Sequence, residues 1–185
     1  MTVEDTIAQW NLEYETVVQR LNAGAGVGLA NPADIAGLTG LQQMQAMLDG
    51  KLPYPHIAQT LDFSLVEVGE GCAVFQGQPQ LKHYNPLGTV HGGWFATLLD
   101  SALGCAVHTM MPPGRGYTTA DLSVKLVKAL TPKVQRVRAI GQVVHCGRQL
   151  ATAEARLVGP DGTLYAHAST ACLVFEMPSP TGNKP

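Results

Sequence analysis

The sequence predicts an α+β protein in which one curved antiparallel β-sheet wraps around a single long central helix, after an N-terminal helical extension. Three observations carry this prediction. Amphipathic helical patterns fill the first 55 residues, a strongly apolar helical stretch covers 94–110, and strand patterns joined mostly by short turns lie on both sides of it. Short turns indicate antiparallel neighbours. A helix that is apolar on nearly all sides must be enclosed by other elements, here the sheet.

The predicted extension covers residues 1–55. Apolar residues at helical spacing predict an amphipathic helix over 3–22, ended by a glycine-rich segment at 24–28. Those glycines follow a helix rather than a strand, so they lack the context of a dinucleotide-binding loop. Asn31-Pro32 predicts the cap and first turn of a short helix. Thr39 with Gln42 predicts a capping box for another helix.

The main domain is predicted over 56–178 and is followed by a C-terminal tail over 179–185. The strand signal begins near residue 57, and a glycine-rich turn at 69–71 indicates a hairpin. Beyond the central helix, Leu122, Val124 and Leu126 alternate with polar residues, which predicts a half-buried strand. The other predicted strands cover 61–68, 72–80, 133–145, 149–158 and 163–176.

Composition excludes several classes of function. The chain has 185 residues and a formal net charge of −2, without the clustered Lys and Arg that a nucleic-acid surface needs. Its four cysteines lack CxxC spacing, and its first residues lack the pattern of a signal peptide, so we expect a cytoplasmic protein with reduced thiols. Only 94–111 approaches the length of a membrane span. Asp100 near its centre would cost about 2.5–3.5 kcal/mol in a bilayer, which favours a buried helix in a protein without a membrane span.

The most informative segment runs from Asn85 to Gly93 and leads directly into the apolar helix that contains Asp100. Backbone N–H groups at the start of a helix can stabilise a developing negative charge. An acid within an apolar helix is costly to bury and therefore calls for a reason. The pattern predicts a site where a carbonyl group is polarised and attacked.

This segment has the form Asn-x-x-Gly-x-x-His-Gly-Gly and is followed by the helix acid. Asn85, Gly88, His91, Gly92, Gly93 and Asp100 occupy its fixed positions. It resembles the hotdog-fold acyl-CoA thioesterases, and most closely their phenylacetate-degradation (PaaI-type) branch. The resemblance covers 56–177 and leaves 1–55 outside. It implies hydrolysis of an acyl-CoA to a carboxylic acid and free coenzyme A, without a metal or redox cofactor, by a homodimer or a dimer of dimers.

The resemblance also implies roles for single residues. Asp100 would be either the nucleophile or the general base that activates water. The N–H of Gly92 would bind the thioester oxygen, and Asn85 would orient water or the acyl carbonyl. Thr119, at the start of the strand that follows the central helix, would help to hold the attacking water molecule. His91 would either support the oxyanion or fix the loop.

The spacing of Gly92 and Asp100 has a consequence of its own. Eight residues of helix separate them by about 12 Å along the axis. Reacting atoms must approach to about 3–3.5 Å, so a carbonyl bound at Gly92 cannot also meet Asp100 of the same chain. We therefore predict a site shared across a twofold dimer, with Gly92 and Asn85 from one subunit and Asp100 from the other.

Four basic residues could contact the phosphates of coenzyme A, namely Arg115, Lys125, Lys128 and Arg148. Arg115 and Arg148 are preferred, although a solvated charged surface is the commoner explanation for any one of them. The histidines at 56, 83, 108, 145 and 167 have no metal-ligand spacing, so no metal is expected.

Other readings stay open at this stage. Asp100 alone could be a structural acid, and Asn85 beside Pro86 could simply form a turn. A non-catalytic acyl-CoA binding or sensing protein, and a hotdog-type acyl dehydratase or hydratase, are the alternative functions, because a fold does not fix a function. The sequence indicates neither the acyl group nor the role of 1–55.

Overall fold

The structure, a computed structural model, describes residues 2–131 and 133–177, so the predicted tail over 179–185 lies outside the described residues. Its helices are α1 (Val3–Ala23), α2 (Pro32–Ile35), α3 (Gly40–Leu48), α4 (His56–Thr60) and α5 (Gly92–Thr109). Its strands are β1 (Phe63–Gly69), β2 (Cys72–Gly77), β3 (Arg115–Leu126), β4 (Val137–Cys146), β5 (Leu150–Val158) and β6 (Leu164–Glu176). One turn of 3-10 helix spans Leu81–His83.

The strands form one sheet in the order β1-β2-β4-β5-β6-β3, and all neighbouring strands are antiparallel. Helix α5 packs against all six strands. Its apolar side chains, including Leu98, Leu99 and Leu103, are fully buried and form the centre of the core. The predicted fold class is therefore confirmed. The long strand β3 lies at one edge of the sheet and is paired with β6 alone.

The helix and the sheet approach each other closely in the middle of α5. A Cβ atom on Gly141 of β4 would lie 2.3 Å from the carbonyl oxygen of Ala102. Such a distance is too short for any side chain, so a glycine is required there. The contact fixes how far α5 sits from the sheet, and thereby places the residues at its start.

Residues of α1 cover the side of the sheet that faces away from α5. Phe75 and Ala139 point into the core, so their neighbours Gln76 and Arg138 point outward. The Gln76 side chain donates to the carbonyl oxygen of Trp10 at 2.9 Å. The Arg138 guanidinium lies 4.4 Å from the centre of the Trp10 ring and pairs with Glu13. These contacts anchor α1 across β2 and β4.

Helix α3 packs against the C-terminal end of α5. The N–H of Gly40 donates to the carbonyl oxygen of Met111 at 2.8 Å, and a Cβ on Gly40 would lie 1.7 Å from the carbonyl oxygen of His108. The Nε2 atom of His108 lies 3.1 Å from Oε1 of Gln43. Burial lowers the pKa of His108. The extension therefore reaches the far end of the central helix.

The structure corrects three predicted boundaries. Residues 56–60 form α4 rather than the start of a strand, because Pro55 precedes a single turn that buries Ala58. The strand predicted over 133–145 begins at Val137, since Arg136 turns toward α1 and donates to Asn11 at 2.8 Å. Strand β3 begins at Arg115, earlier than the alternating pattern around Leu122 indicates.

We expect the extension to be essential to the stability of the main domain. Leu21 of α1 is 3% exposed and belongs to the same core cluster as α5. Leu21→Ala should lower the free energy of unfolding by about 2–5 kcal/mol, measured by denaturant titration. Leu12→Ala on the same helix is the control, because Leu12 is 67% exposed and its loss should change stability by less than about 0.5 kcal/mol. Equal effects would mean that α1 does not share the core.

Candidate functional site

The start of α5 presents backbone N–H groups to a loop. His91 is the N-cap residue, and its Nδ1 accepts the N–H of Gly93 at 2.9 Å. The N–H of Gly92 has no acceptor within the described part of the chain, as expected for the first residue of a helix. Of the two glycine amides, that of Gly92 is therefore the one open to a ligand.

A hollow of about 250 Å³ lies beside this amide. It combines the helix start, the loop before it and the end of β3. Its lining residues are Asn85, Thr89, Val90, Gly92, Phe95, Leu126, Val127, Lys128 and Ala129. Lys128 is the charged residue of this lining, and it is one of the four basic residues that the sequence suggests for contacts with the phosphates of coenzyme A.

The side chain of Asn85 shapes the loop that borders the hollow. Its Oδ1 accepts from the N–H groups of Leu87 at 2.9 Å and Thr89 at 3.3 Å. Its Nδ2 donates to Oγ1 of Thr89 at 3.0 Å. The oxygen is thus occupied within the loop, and one Nδ2 hydrogen remains for a ligand.

Asp100 lies two turns further along α5, on the side that faces β3. Thr119 donates its hydroxyl to Oδ1 of Asp100 at 3.1 Å. Within the described residues Asp100 forms no ion pair, so no lysine or arginine neutralises its charge there. Asp100 is half-buried, so its second oxygen can meet a substrate or a water molecule.

Beyond Asp100, α5 packs against Tyr117 of β3 at the edge of the core. Burial raises the pKa of Cys105 to about 12, with a further contribution from the charge of Asp100, so this thiol stays protonated at neutral pH. The hydroxyl of Tyr117 packs against Gly104, where a Cβ would lie only 2.7 Å from it. Burial also raises the pKa of Tyr117 well above 10, which keeps its hydroxyl a donor.

Within one chain, the open amide of Gly92 and the carboxylate of Asp100 lie apart. A Cβ on Gly92 would lie 3.0 Å from Cδ1 of Leu126, at the end of β3. Asp100 is instead hydrogen-bonded to Thr119, which lies seven residues before Leu126 on β3. The two groups are therefore separated along both α5 and β3.

Arg115 and Arg148 lie together, at the opposite end of β3 from Leu126. The Arg115 guanidinium donates to the carbonyl oxygen of Arg148. The Nε atom of Arg115 is buried and has no hydrogen-bond partner within the described residues. Arg148 itself is exposed in the turn between β4 and β5.

No group of three or more His, Cys, Asp or Glu side chains that could hold a metal ion occurs in residues 2–131 and 133–177. In the same ranges, none of the helices has the length and apolar character needed to span a membrane.

Comparison with known proteins identifies the family. No curated protein matches the chain. The sequence model of the thioesterase superfamily matches residues 87–166, which include the glycine pair and Asp100. A solved structure of a thioesterase-superfamily protein is 33% identical, with 64% of this chain and 88% of that chain covered and a TM-score of 0.56. The chain belongs to the thioesterase superfamily.

Other solved structures relate this thioesterase-superfamily chain to the PaaI-type proteins. A mutant of the phenylacetic acid degradation protein PaaI from Thermus thermophilus is 25% identical, with 63% of this chain and 96% of that chain covered and a TM-score of 0.57. The E. coli PaaI protein shares the fold at 18% identity, with 75% and 94% coverage and a TM-score of 0.63. The predicted resemblance to the hotdog, PaaI-like branch is confirmed.

Sequence reasoning missed one cluster at the start of α5 in this thioesterase-superfamily chain. The sequence predicts His83 to be a surface or core histidine, and it is a core histidine, buried against Trp94 and facing Asp62. Asp62 and His83 lie 21 positions apart and share no motif. The glycine pair that follows His83 by nine residues was the only local signal.

Proposed function

We propose that the chain is an acyl-CoA thioesterase, which hydrolyses a thioester to a carboxylic acid and free coenzyme A. One observation carries this proposal. A half-buried Asp100 held by Thr119, and an open amide at Gly92 beside a hollow, occur in a chain of the thioesterase superfamily. These are the two groups that acyl transfer from a thioester needs: one activates the attack and the other accepts the developing charge.

The chemistry follows from these two groups. As the thioester carbonyl is attacked, negative charge grows on its oxygen, and the N–H of Gly92 at the positive end of α5 stabilises it. Asp100 either removes a proton from the attacking water or attacks the carbonyl itself and forms an anhydride that water then cleaves. Both routes yield the carboxylic acid and the thiol of coenzyme A. Neither route uses a metal or a redox cofactor.

The proposed enzyme is a homodimer with shared sites. Gly92 and Asp100 of one chain stand about 12 Å apart along α5, too far to act on one carbonyl. Strand β3 has 12 residues and one unpaired edge, and such edges readily accept another strand. We propose that two copies of β3 pair antiparallel about a twofold axis.

The contacts along β3 also suggest the register of that pairing. Gly92 adjoins Leu126, and Asp100 adjoins Thr119. We propose a register in which Thr119 faces the partner's Leu126, since both side chains point toward α5. Asp100 is thereby brought toward the open amide of the other subunit.

The same register suggests where the phosphates of coenzyme A bind. Because β3 ends at Leu126, Arg115, four residues before Thr119, would lie past the end of the partner's β3, on the side where the partner's chain continues to the partner's Lys128. Arg148 is bonded to Arg115 through its carbonyl oxygen, so three cations from two subunits would surround one opening. Such a cluster suits the phosphates of the substrate.

We also place the enzyme in the cytoplasm. All four cysteines are free thiols in the structure, which fits a reducing compartment. Light scattering of the purified protein measures whether it is a dimer or a dimer of dimers.

The test is a thiol-release assay with aromatic, short, medium and long acyl-CoA substrates at neutral pH. We expect free thiol to appear stoichiometrically with the carboxylic acid for at least one class. Tight acyl-CoA binding without thiol release would instead favour a binding or sensing protein. A change in absorbance of the acyl double bond without thiol release would favour a dehydratase or hydratase.

A further inference from the structure

The buried His83 adjoins the start of α5 but is absent from the chemistry described above. It ends the 3-10 turn Leu81–His83, and its side chain is only 3% exposed. The imidazole stacks on the indole of Trp94, with ring centres 5.4 Å apart and planes 26° from parallel. Trp94 is the third residue of α5. His83 therefore packs directly against the first turn of the central helix.

The polar atoms of the ring are also engaged. Nδ1 accepts the N–H of Gln80 at 3.2 Å, so the ring proton is assigned to Nε2. Nε2 lies 3.1 Å from Oδ2 of Asp62, close enough for an electrostatic contact but not aligned as a hydrogen bond. Burial lowers the pKa of His83 and outweighs the opposite effect of Asp62, so the ring is neutral at neutral pH.

The main chain connects this cluster to the glycine pair. The carbonyl oxygen of His83 accepts the N–H of His91 at 2.7 Å. His91 in turn accepts the N–H of Gly93 through Nδ1. On the other side, the indole N–H of Trp94 donates to the carbonyl oxygen of Leu61 at 2.8 Å. The segments around His83 and Asp62 thus hold the first turn of α5 from two directions.

Asp62 itself has an unusual backbone conformation. Its φ is 53°, and it is the one non-glycine residue with positive φ in the part of the chain that the structure describes. Asp and Asn adopt this region more readily than most residues, but at some cost in energy. The carboxylate of Asp62 also pairs with Lys82 at 2.8 Å. The side chain of Asp62 is therefore held by contacts with Lys82 and His83.

We propose that His83, supported by Asp62, is a positioning residue that sets the direction of the Gly92 amide through the main chain of His91. The inference rests on the proposed function and names two further residues on which that function depends. Oxyanion donors act within a narrow range of about 2.7–3.1 Å, and a misplacement of about 1 Å can cost a large factor in rate. A loosened turn would thus weaken transition-state binding more than substrate binding.

The test compares His83→Phe with His56→Phe. Phenylalanine at 83 keeps a ring against Trp94 but loses the contacts with Gln80 and Asp62, whereas His56 is exposed on α4. For His83→Phe we expect kcat to fall about tenfold with KM changed less than about twofold. Amide hydrogen exchange of His91 and Gly93, whose N–H groups are hydrogen-bonded to His83 and His91, should become about tenfold faster, while that of 98–107 stays unchanged. His56→Phe should change none of these quantities.

A double-mutant cycle separates positioning from a general loss of packing. If His83 acts by directing the Gly92 amide, then His83→Phe combined with Gly92→Pro should lower kcat no more than Gly92→Pro alone, because proline has already removed that N–H group. Multiplied effects would overturn the proposal.

Should His83→Phe fail to fold, Asp62→Asn serves instead, because Asn tolerates positive φ and removes only the charge. It should show the same pattern of exchange with a smaller loss of kcat.

The exchange measurement also keeps this inference distinct from the proposed function. If the wild-type protein releases no thiol from any acyl-CoA, the proposed function fails, and amide exchange at His91 and Gly93 alone decides the positioning role. Unchanged exchange in both His83→Phe and Asp62→Asn would overturn that role. Unchanged exchange in variants of an active enzyme would refute the inference and leave the proposed function standing.

Discussion

Asp100→Asn should lower kcat for thioester hydrolysis by about a thousandfold. Asparagine has nearly the same size and can still accept the hydroxyl of Thr119, but it is neither a base nor a nucleophile. General acid–base catalysis by one positioned group typically contributes a factor of about 10²–10⁴. The fold and the oligomeric state should be unchanged. Thiol release, thermal unfolding and light scattering measure these three properties.

The control for this variant is Asp34→Asn. Asp34 is an exposed acid on α2, far from α5 in sequence, and its substitution removes the same charge. It should retain wild-type activity within about twofold, as expected for a surface change. Undiminished hydrolysis by Asp100→Asn would remove this residue from the mechanism.

Gly92→Pro should lower kcat by about 10²–10³-fold, whereas Gly92→Ala should keep most of the activity. Proline removes the N–H group, and the loss of one oxyanion donor costs about this factor. The first position of a helix accepts proline, and His91 has φ −63° and ψ 137°, which suit a residue before proline. Both variants add a Cβ near the exposed Leu126. The two variants therefore differ chiefly in whether residue 92 keeps its backbone N–H group.

Mixed dimers of Asp100→Asn and Gly92→Pro subunits should recover about half of the wild-type activity. In such a dimer one site combines two intact groups and the other combines both defects, if each site uses Gly92 of one subunit and Asp100 of the other. Co-expression with two different affinity tags isolates the mixed dimer for the thiol-release assay. Mixed dimers as inactive as their parents would rule out shared sites.

The elements of the fold follow from local sequence patterns, while several contacts do not. The period of apolar residues in 3–22 and 94–110, and the Thr39–Gln42 capping box, predict α1, α5 and α3 within a few residues. Helix α4 was missed because five residues are too short for a periodic signal. The extension's packing against β2, β4 and α5 depends on pairs such as Arg138 with Trp10, which are distant in sequence.

The candidate site divides in the same way. The glycine pair and the helix acid form a local pattern, so the positions of Gly92 and Asp100 on α5 could be predicted. The bond between Thr119 and Asp100 depends on the way β3 passes over α5, and only the family resemblance suggested a role for Thr119. The contacts of His83 with Asp62 and His91 join three loop segments, and no local sequence pattern predicts such contacts.

The position of α1 limits how pairs of this molecule could stack into larger assemblies. Helix α1 covers part of the outer surface of the sheet over β2 and β4. Two sheets that stack back to back would therefore meet over β5 and β6. The outward side chains of that strip are polar at one end, with Glu154, Arg156, His167 and Ser169, and apolar at the other, with Leu150, Leu173 and Phe175, all exposed. Stacking over the polar end would remove water from Glu154 and Arg156, which opposes it, so only the apolar end near the turn between β4 and β5 suits such a contact.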